Sequence, residues 1–395
     1  MATLFFITKS HRFPNNMISY MESRFPDIEK EYFVVDRRKK VQLPEAANVH
    51  RILSYVEFLK NRSLVRLIHS ADGIVVSGVF IMQYVFPIYG KNVLRKIYWQ
   101  FWGGDYEKFC GRKRLTRKLR AEKWIIARNL QEARGTILLT RQEFDIFQKI
   151  FPEVVKKKVY YAIVPSGADD EEMIRRIRSE RTRQRNDQNL LIQTGSAVEE
   201  AGMVSSEKEN MNRRIVIGNS STDSNRHLEL FEKIKHLDLI NVDLYCPLSY
   251  GEKEYRDEVI KQGYELFGNH FHPLTEYMKY EEYVKFLCTC DVGIYYNNRQ
   301  QALGNINRML DLGKKVYLPV MLRDYCATYG YITYAVEDIV HSSIRDLLDF
   351  PIESVEHNID CIEARTQDIY ESWRSIFEDM KAIKEHNITY RCPNS

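Results

Sequence analysis

Short apolar runs alternate with helical patterns along most of this 395-residue chain, in one series before residue 165 and a second from residue 213 onward. Each run has the length of one β-strand, such as 3–8 in the first series and 213–218 in the second. A chain that alternates strands with helices forms parallel sheets covered by helices on both faces. The pattern therefore predicts an α/β protein with two Rossmann-like domains, 1–165 and 213–365, whose sheets face a central cleft.

Two further segments lie outside these domains. Residues 166–212 are rich in Arg, Glu, Asp, Ser and Gln, so we interpret them as a charged linker with a surface insertion. Residues 366–395 contain a helical pattern over 366–383 that places Trp373 and Phe377 on one apolar stripe. That stripe needs an apolar surface, so we expect the C-terminal helix to pack near the domain junction or on the nearer domain.

Composition excludes several classes of protein. No run of about 18 apolar residues is present, which argues against a transmembrane helix, and the first residues lack the pattern of a secretory signal. The seven cysteines are scattered and odd in number, which favours a reducing compartment, by default the cytoplasm. Cys288 and Cys290 stand two apart without a second pair or a His pattern, so we expect no zinc site.

The stretch from Ile215 to His227 has the pattern of a buried strand, then a turn of small polar residues, and then a helix. Hydroxyls, amides and exposed N–H groups at the start of a helix bind anions, and glycine permits close approach of the backbone. The alternative is a turn rich in Ser and Asn only because such residues cap helices. The residues predicted to bind a phosphate group are Gly218, Asn219, Ser220, Ser224, Asn225 and His227.

A second polar loop follows the strand that begins near Asp291 and leads into another helix. Arginine in such a loop can neutralise a diphosphate, glutamine can bond hydroxyl groups, and glycine or asparagine at a helix start lets backbone N–H groups reach an anion. The alternative is a well-capped surface loop. Tyr250, after a different strand, can pack on a base or ribose, although an aromatic residue there is more often core. The loop residues predicted to bind the donor are Arg299, Gln300, Gln301, Gly304 and Asn305.

In the first domain, Trp102-Gly-Gly-Asp105 ends a strand with an aromatic ring, two glycines and a carboxylate, a combination that can bind a sugar acceptor. Asp105, or alternatively Glu107, is the predicted general base for an acceptor hydroxyl, provided that burial raises its pKa toward neutrality. The other interpretation is that Asp105 only caps the basic helix that follows. His11, in the loop after the first strand, is a second candidate base, and Arg141, at another strand end, can reach a phosphate.

Residues 108–123 are dense in Lys and Arg, with Leu115, Leu119 and the adjoining Trp124 at spacings that can face a core. The pattern predicts a basic amphipathic helix. Its outward face is a solvated surface, a nucleic-acid patch or a surface for anionic lipid headgroups. The residues predicted on that face are Arg112, Lys113, Arg114, Arg117, Lys118 and Arg120.

In their order along the chain, these motifs resemble the TDP-4-acetamidofucose:lipid II transferases, which complete the trisaccharide unit of enterobacterial common antigen. Trp102-Gly-Gly-Asp105 is similar to that family's W-G-x-D. The turn from Gly218 to His227 is similar to its G-N-S-x-x-D-x-S-N-x-H, and Arg299 to Gly304 to its R-Q-Q-x-x-G. Further matching positions are Thr140, Arg141, Pro247, Tyr250, Asp291, Gly293 and Trp373.

The resemblance implies a glycosyltransferase of the GT-B type that moves a sugar, such as 4-acetamido-4,6-dideoxygalactose, from a nucleotide diphosphate to a polyprenyl-diphosphate-linked glycan. It also implies a cytoplasmic protein in peripheral contact with the anionic inner membrane, which favours the lipid interpretation of the basic helix. We expect no cofactor, no metal ion and no nucleic-acid partner, with Arg299 and helix N-termini stabilising the departing diphosphate. A sugar-nucleotide epimerase or hydrolase, a nucleic-acid-binding protein and an inactive scaffold remain as alternatives.

Overall fold

A computed structural model of the chain describes residues 2–8, 13–39, 41–79, 81–110, 114–156, 158–163 and 212–389. The chain divides into two compact units. The first consists of Met1–Glu171 and Thr366–Ser395, and the second of Glu172–Arg365. Within the described ranges, no helix combines the length and the apolar composition needed to cross a bilayer.

A seven-stranded sheet forms the centre of the first unit, and its paired strands are parallel. The strands are β1 (Thr3–Ile7), β2 (Lys30–Val35), β3 (Val49–Ile52), β4 (Gly73–Ser77), β5 (Ile97–Gln100), β6 (Gly135–Leu138) and β7 (Lys158–Tyr161). Their order is β3-β2-β1-β4-β5-β6-β7. The winding of the chain therefore reverses between β1 and β4, where doubly wound folds bind ligands beyond the carboxyl ends of the strands.

Helices connect these strands, because a parallel pair needs a crossover that returns over one face of the sheet. They are α1 (Phe13–Arg24), α2 (Glu57–Lys60), α3 (Arg62–Ser70), α4 (Met82–Val85), α5 (Lys91–Leu94), α6 (Gly103–Glu107), α7 (Arg117–Glu132) and α8 (Phe144–Ile150). Strand β1 shows why the apolar runs are continuous. Leu4 and Phe6 pack into the core on one face of the sheet, while Phe5 and Ile7 pack on the other.

The last helix of the chain runs from Ile352 to Thr389, so it begins earlier than the predicted position 366. Its apolar stripe packs on the first unit, where Trp373 and Phe377 contact the ring of Phe5. The buried Asp379 of this helix accepts two hydrogen bonds of 2.8 Å from the Arg134 guanidinium. The stripe that the sequence predicts therefore has its partner surface in the sheet that contains β1.

The second unit is built on a six-stranded sheet whose paired strands are also parallel. The strands are β8 (Arg213–Ile217), β9 (Val242–Pro247), β10 (Phe271–Leu274), β11 (Val292–Ile294), β12 (Lys315–Leu318) and β13 (Tyr334–Ala335). Their order is β10-β9-β8-β11-β12-β13, so the winding reverses between β8 and β11. The helices are α9 (His227–Ile234), α10 (Lys253–Phe267), α11 (Tyr280–Thr289), α12 (Leu303–Asp311), α13 (Val320–Ala327), α14 (Ile344–Leu348) and α15 (Ile352–Thr389), the last of which continues into the first unit.

Candidate active site

In the second unit, the two polar loops singled out from the sequence follow β8 and β11, the neighbouring strands at which the winding reverses. The turn after β8 leads into α9, and the loop after β11 leads into α12. Because parallel strands end at the same edge of a sheet, both loops lie at the crevice where doubly wound sheets bind ligands. They are also joined directly, since Asn298 N donates to Ser224 O at 3.0 Å.

Glycine is the residue type that fits position 218, at the start of the β8 turn. Its φ is 67°, in the left-handed region, and a Cβ atom there would lie 2.5 Å from His227 Nε2. His227 itself is fully buried and packs beside the Tyr255 ring, with ring centroids 5.8 Å apart. Burial lowers the pKa of His227 to about 3, so the imidazole stays neutral. The structure thus places His227 in the core beneath the turn, where it shapes the backbone at Gly218.

Asn225 holds the turn together from inside. Its side-chain oxygen accepts from Asn219 N and from Asn297 Nδ2, each at 3.1 Å. Its Nδ2 donates to Ser220 Oγ at 3.1 Å and to Thr222 Oγ1 at 2.9 Å. Asn225 is almost fully buried, so it organises the hydroxyl groups of the turn.

Gln301 reaches from the β11 loop into this hydroxyl cluster. Its carboxamide oxygen accepts from Ser224 Oγ at 2.6 Å and from Arg299 Nε at 3.0 Å. Its Nε2 donates to Thr222 Oγ1 at 3.2 Å, to Ser220 Oγ at 3.3 Å and to Asn219 Oδ1 at 3.4 Å. The structure therefore brings together the predicted residues Asn219, Ser220, Ser224, Asn225, Arg299 and Gln301.

At neither helix that starts at this crevice does the side chain of the N-cap residue bond the first turn. The first N–H of α9, that of His227, donates instead to the Tyr255 hydroxyl at 3.0 Å. Each helix begins after a non-glycine residue in the left-handed conformation, Arg226 with φ 52° and Ala302 with φ 62°. Gly304, in the first turn of α12, is exposed and has open space where a side chain would stand, so packing does not require glycine there. The first-turn N–H groups that no side chain caps suit an anion, which carries the charge that the helix dipole favours.

The remaining predicted donor residues differ in their surroundings. Tyr250 is 59% exposed, yet its hydroxyl accepts from Asn219 Nδ2 at 2.9 Å, so its ring stands in solvent beside the turn. Gln300 is nearly buried. Asn305 donates to the hydroxyl of Tyr283 on α11 at 3.0 Å, which ties its side chain to a neighbouring helix.

In the first unit, Trp102 and Asp105 follow β5 and contact the end of β4 and the residues after it. Trp102 Nε1 donates to Ser77 Oγ, at the end of β4, at 3.3 Å. The Asp105 carboxylate is buried and accepts from Trp102 N at 2.9 Å and from Val79 N at 3.5 Å. Asp105 therefore caps the short helix α6 rather than the basic helix. Glu107 is half-buried at the end of α6, and His11 lies outside the described residues.

Arg141 follows β6, as predicted, and its guanidinium lies over the Tyr161 ring, 5.1 Å from the centroid. Sequence reasoning missed its neighbour Glu143, whose carboxylate accepts from Thr140 N at 2.9 Å and from Tyr106 OH at 2.5 Å. Burial raises the pKa of Glu143 to about 7, although these hydrogen bonds oppose the shift. The signal was present as a capping box, Thr-x-x-Glu, and Glu143 links this turn to α6.

The basic helix α7 starts at Arg117, after a Thr116 cap whose hydroxyl accepts from Leu119 N at 3.2 Å. Arg117 and Lys118 are exposed in its first turn and Arg114 precedes it, while Arg112 and Lys113 lie outside the described residues. The placement of Trp124 toward a core was wrong, because this side chain is 60% exposed with the Arg128 guanidinium over its ring. Trp124 lies five residues after Leu119, which turns it away from the face on which Leu115 and Leu119 pack.

No group of three or more His, Cys, Asp or Glu residues that could hold a metal ion occurs in the part of the chain that the structure describes. The donors gathered at the β8–β11 crevice are hydroxyls, amides, backbone N–H groups and one guanidinium. Such a set matches an anionic ligand.

A family model described as 4-alpha-L-fucosyltransferase, glycosyl transferase group 56, matches residues 170–324. The matched range contains both the β8 turn and the β11 loop. This match confirms the resemblance to the transferase family that the motifs indicate, and it supports glycosyltransferase activity.

Solved structures of similar fold cover nearly the whole chain. The trehalose-6-phosphate synthase OtsA has a TM-score of 0.60 at 10% identity, over 96% of this chain and 99% of its own. The α,α-trehalose 6-phosphate synthase of Burkholderia multivorans has a TM-score of 0.59 at 11% identity, over 100% and 99%. Anabaena HepE, in complex with UDP and glucose, has a TM-score of 0.51 at 14% identity, over 98% and 100%. These similarities confirm the predicted GT-B fold.

Proposed function

We propose that this glycosyltransferase moves a sugar from a nucleotide diphosphate to a polyprenyl-diphosphate-linked glycan in surface polysaccharide synthesis. The observation that carries the proposal is the crevice between β8 and β11, where two helices start beside a hydroxyl cluster and Arg299 and the N-cap side chains leave the first turns unbonded. The family resemblance favours an amino-deoxysugar donor such as 4-acetamido-4,6-dideoxygalactose.

The second unit holds the donor in this proposal. The diphosphate lies against the first turns of α9 and α12, and Arg299 offsets its charge. The exposed ring of Tyr250, fixed through its hydroxyl to Asn219, provides a flat surface on which the base can stack. HepE, which has the same fold, is described in complex with UDP and glucose, which supports a nucleotide donor.

Transfer requires an acceptor hydroxyl to attack the anomeric carbon while the bond from that carbon to the diphosphate oxygen breaks. The hydroxyl proton passes to a base, and the nucleotide diphosphate leaves with the bonding electrons. Arg299 and the two helix N-termini stabilise the charge that develops on the leaving oxygen, so the proposed reaction is metal-independent. In the first unit, the buried Asp105 holds the Trp102 loop through backbone N–H groups, which supports an orienting role for this carboxylate.

The exposed face of α7 supports contact with the membrane that carries a lipid-linked acceptor. Arg117, Arg120, Trp124 and Arg128 follow one another at spacings of three and four residues, so they share one helical face. Exposed cations beside an exposed indole ring suit the interface of an anionic bilayer. The neighbouring α4, held to α7 by Gln83, adds Tyr84 as a further exposed aromatic residue.

The deciding experiment follows a radiolabelled sugar. Nucleotide diphosphates and then sugar nucleotides are screened by thermal shift, and the donor that binds is incubated with polyprenyl-diphosphate-linked glycan. Label in the lipid extract supports transfer, whereas free labelled sugar indicates a hydrolase and an altered sugar nucleotide an epimerase. Replacing Arg299 by Ala should weaken nucleotide binding about tenfold or more, and the exposed Arg345→Ala serves as a control of equal charge change. Equal affinities for the two variants would count against the proposed diphosphate site.

A further inference from the structure

The Gln301 carboxamide stands at the point where the donors of the crevice converge. Ser224 Oγ and Arg299 Nε both donate to its oxygen. Because a guanidinium Nε can only donate, the amide atom that it faces must be the oxygen, which fixes the orientation of the amide. One neutral oxygen therefore receives a hydroxyl donor and a cationic donor, the pair that ordinarily binds a phosphate oxygen.

We propose that Gln301 occupies a phosphate-oxygen position of the donor site when no ligand is bound, and that the diphosphate must displace this side chain in order to bind. The inference rests on the proposed function, because it takes the crevice as the diphosphate site. It adds a self-occupied state of that site, with Gln301 as an internal competitor of the donor.

Two further observations indicate that a ligand binds at the crevice beside Gln301. The side chain of Asn297 is 1% exposed, and its Oδ1 has no hydrogen-bond partner among the described residues, although its Nδ2 is held by Asn225. Buried polar atoms are nearly always paired in a folded protein, and an amide oxygen can only accept. The orphaned Oδ1 therefore indicates a missing donor, such as a hydroxyl group of a sugar nucleotide, rather than a phosphate oxygen. The open space at Gly304 is the second observation, since it leaves the start of α12 accessible.

The cluster can exchange Gln301 for a phosphate without rebuilding the turn. In the structure, the Ser220 and Thr222 hydroxyls accept from Gln301 Nε2. A hydroxyl group can rotate and donate instead, so the same oxygens can serve as donors to a phosphate. Asn225 keeps its bonds to both hydroxyls in either case, and Gln301 is only partly buried and can swing aside.

Self-occupation lowers the apparent affinity of the donor. A ligand that binds only the open state has its affinity reduced by the fraction of molecules in that state. An internal anion at position 301 should therefore block the site, whereas a side chain too short to reach it should leave the site open.

The test uses three variants of the full-length protein. Gln301→Glu keeps the oxygen and adds a negative charge, Gln301→Ala removes the competitor, and Asn298→Asp adds the same charge at an exposed position of the same loop. Thermal unfolding is measured without ligand, and calorimetry then measures the affinity for inorganic pyrophosphate, UDP, TDP and GDP.

Gln301→Glu should raise the unfolding temperature by about 2 °C or more over Asn298→Asp, because its carboxylate receives the same two donors. It should also lower pyrophosphate affinity about tenfold or more beyond that control, while Gln301→Ala binds as tightly as the parent protein or more tightly. If Gln301→Glu behaves like Asn298→Asp, or if Gln301→Ala loses affinity, Gln301 is not a competitor and the inference is overturned. If the parent protein binds none of these ligands, the proposed function fails. The unfolding temperatures then still show whether the donors around position 301 stabilise a carboxylate there.

Discussion

The contacts that hold α15 on the first unit allow a quantitative prediction about stability, because one buried carboxylate, that of Asp379, accepts hydrogen bonds from several donors. Asp379 accepts from the Arg134 guanidinium through two bonds of 2.8 Å, from Tyr98 OH at 2.5 Å and from Lys158. Replacing Asp379 by Asn leaves the buried Tyr98 hydroxyl without its charged acceptor and two cations facing a neutral amide. Removing one member of a buried ion pair costs about 3–5 kcal/mol.

The cost should be smaller here, because the side chains of Arg134 and Lys158 are 34% and 59% exposed and water can solvate them. We therefore expect Asp379→Asn to lower the free energy of unfolding by about 2–3 kcal/mol, which corresponds to roughly 5–10 °C in the unfolding temperature of a unit of this size. Glu378→Gln is the matched control, since Glu378 is the adjacent acid and is exposed, with a surface bond of 2.9 Å to Arg374. It should change stability by less than about 0.5 kcal/mol.

The pH dependence provides an independent check on the same carboxylate. Burial alone would raise the pKa of Asp379, but hydrogen bonds from Arg134, Lys158 and Tyr98 outweigh it and hold the pKa below its usual 3.8. A depressed pKa stabilises the folded state above the unfolded value of about 4, and that stabilisation is lost as the pH falls further. The difference between the parent protein and Asp379→Asn, measured by urea unfolding, should be largest at pH 6–8 and should shrink below about pH 4. A loss no greater than that of Glu378→Gln at pH 7 would refute this account of the anchorage.

Three further substitutions test other parts of the structure. Gly218→Ala forces a side chain into the left-handed region and against His227, so it should cost about 2 kcal/mol or more in urea unfolding and weaken nucleotide binding. Gly304→Ala, at an exposed helical position with open space for the new methyl group, should leave stability unchanged or raise it by up to about 1 kcal/mol. Burial raises the pKa of Glu143 to about 7, so the folded state still holds a proton that the unfolded chain releases above about pH 4.5. The parent protein should therefore lose stability, of order 2 kcal/mol, as the pH rises from about 4.5 to 7, and Glu143→Gln should not. Identical urea profiles for the two proteins at pH 5 and 8 would contradict this. Trp124→Ser should reduce binding to vesicles of anionic phospholipid about threefold or more, whereas Ile240→Ser, at a 70% exposed position in the second unit, should not.

The central strands could be predicted from the sequence, but some edge strands could not. Strand β1 is buried on both faces, so its sequence is a continuous apolar run. The edge strands β3 and β10 are partly exposed and contain His, Arg or Pro, which removes the pattern that marks a strand. Helix α7 was predicted, yet the exposure of Trp124 was not, because an aromatic residue near an apolar stripe was counted as part of it. The true face follows the 3.6-residue period through Leu115 and Leu119.

The site could be predicted as two loops but not as one network. Small polar residues after a buried strand are visible in the sequence, and both the β8 turn and the β11 loop have them. The bond from Ser224 to Gln301 joins residues 77 positions apart, and no local pattern encodes such a pair. It follows from the order of strands, which places β8 beside β11. The burial of His227 was likewise hidden, because a polar residue at a helix start ordinarily faces solvent.

A site for an anion that is built from neutral donors must satisfy those donors when the anion is absent. Hydroxyl and amide groups that lack a hydrogen-bond partner destabilise the folded protein, and Arg299 adds a cation that attracts any nearby oxygen. In this protein an amide from the adjoining loop meets that need, since the Gln301 oxygen faces Ser224 and Arg299 while its Nε2 faces Thr222. Glutamine suits the task because it supplies an acceptor for the cation without the full charge that would exclude a diphosphate. The residue that pairs with these donors is therefore also the one that the diphosphate has to displace.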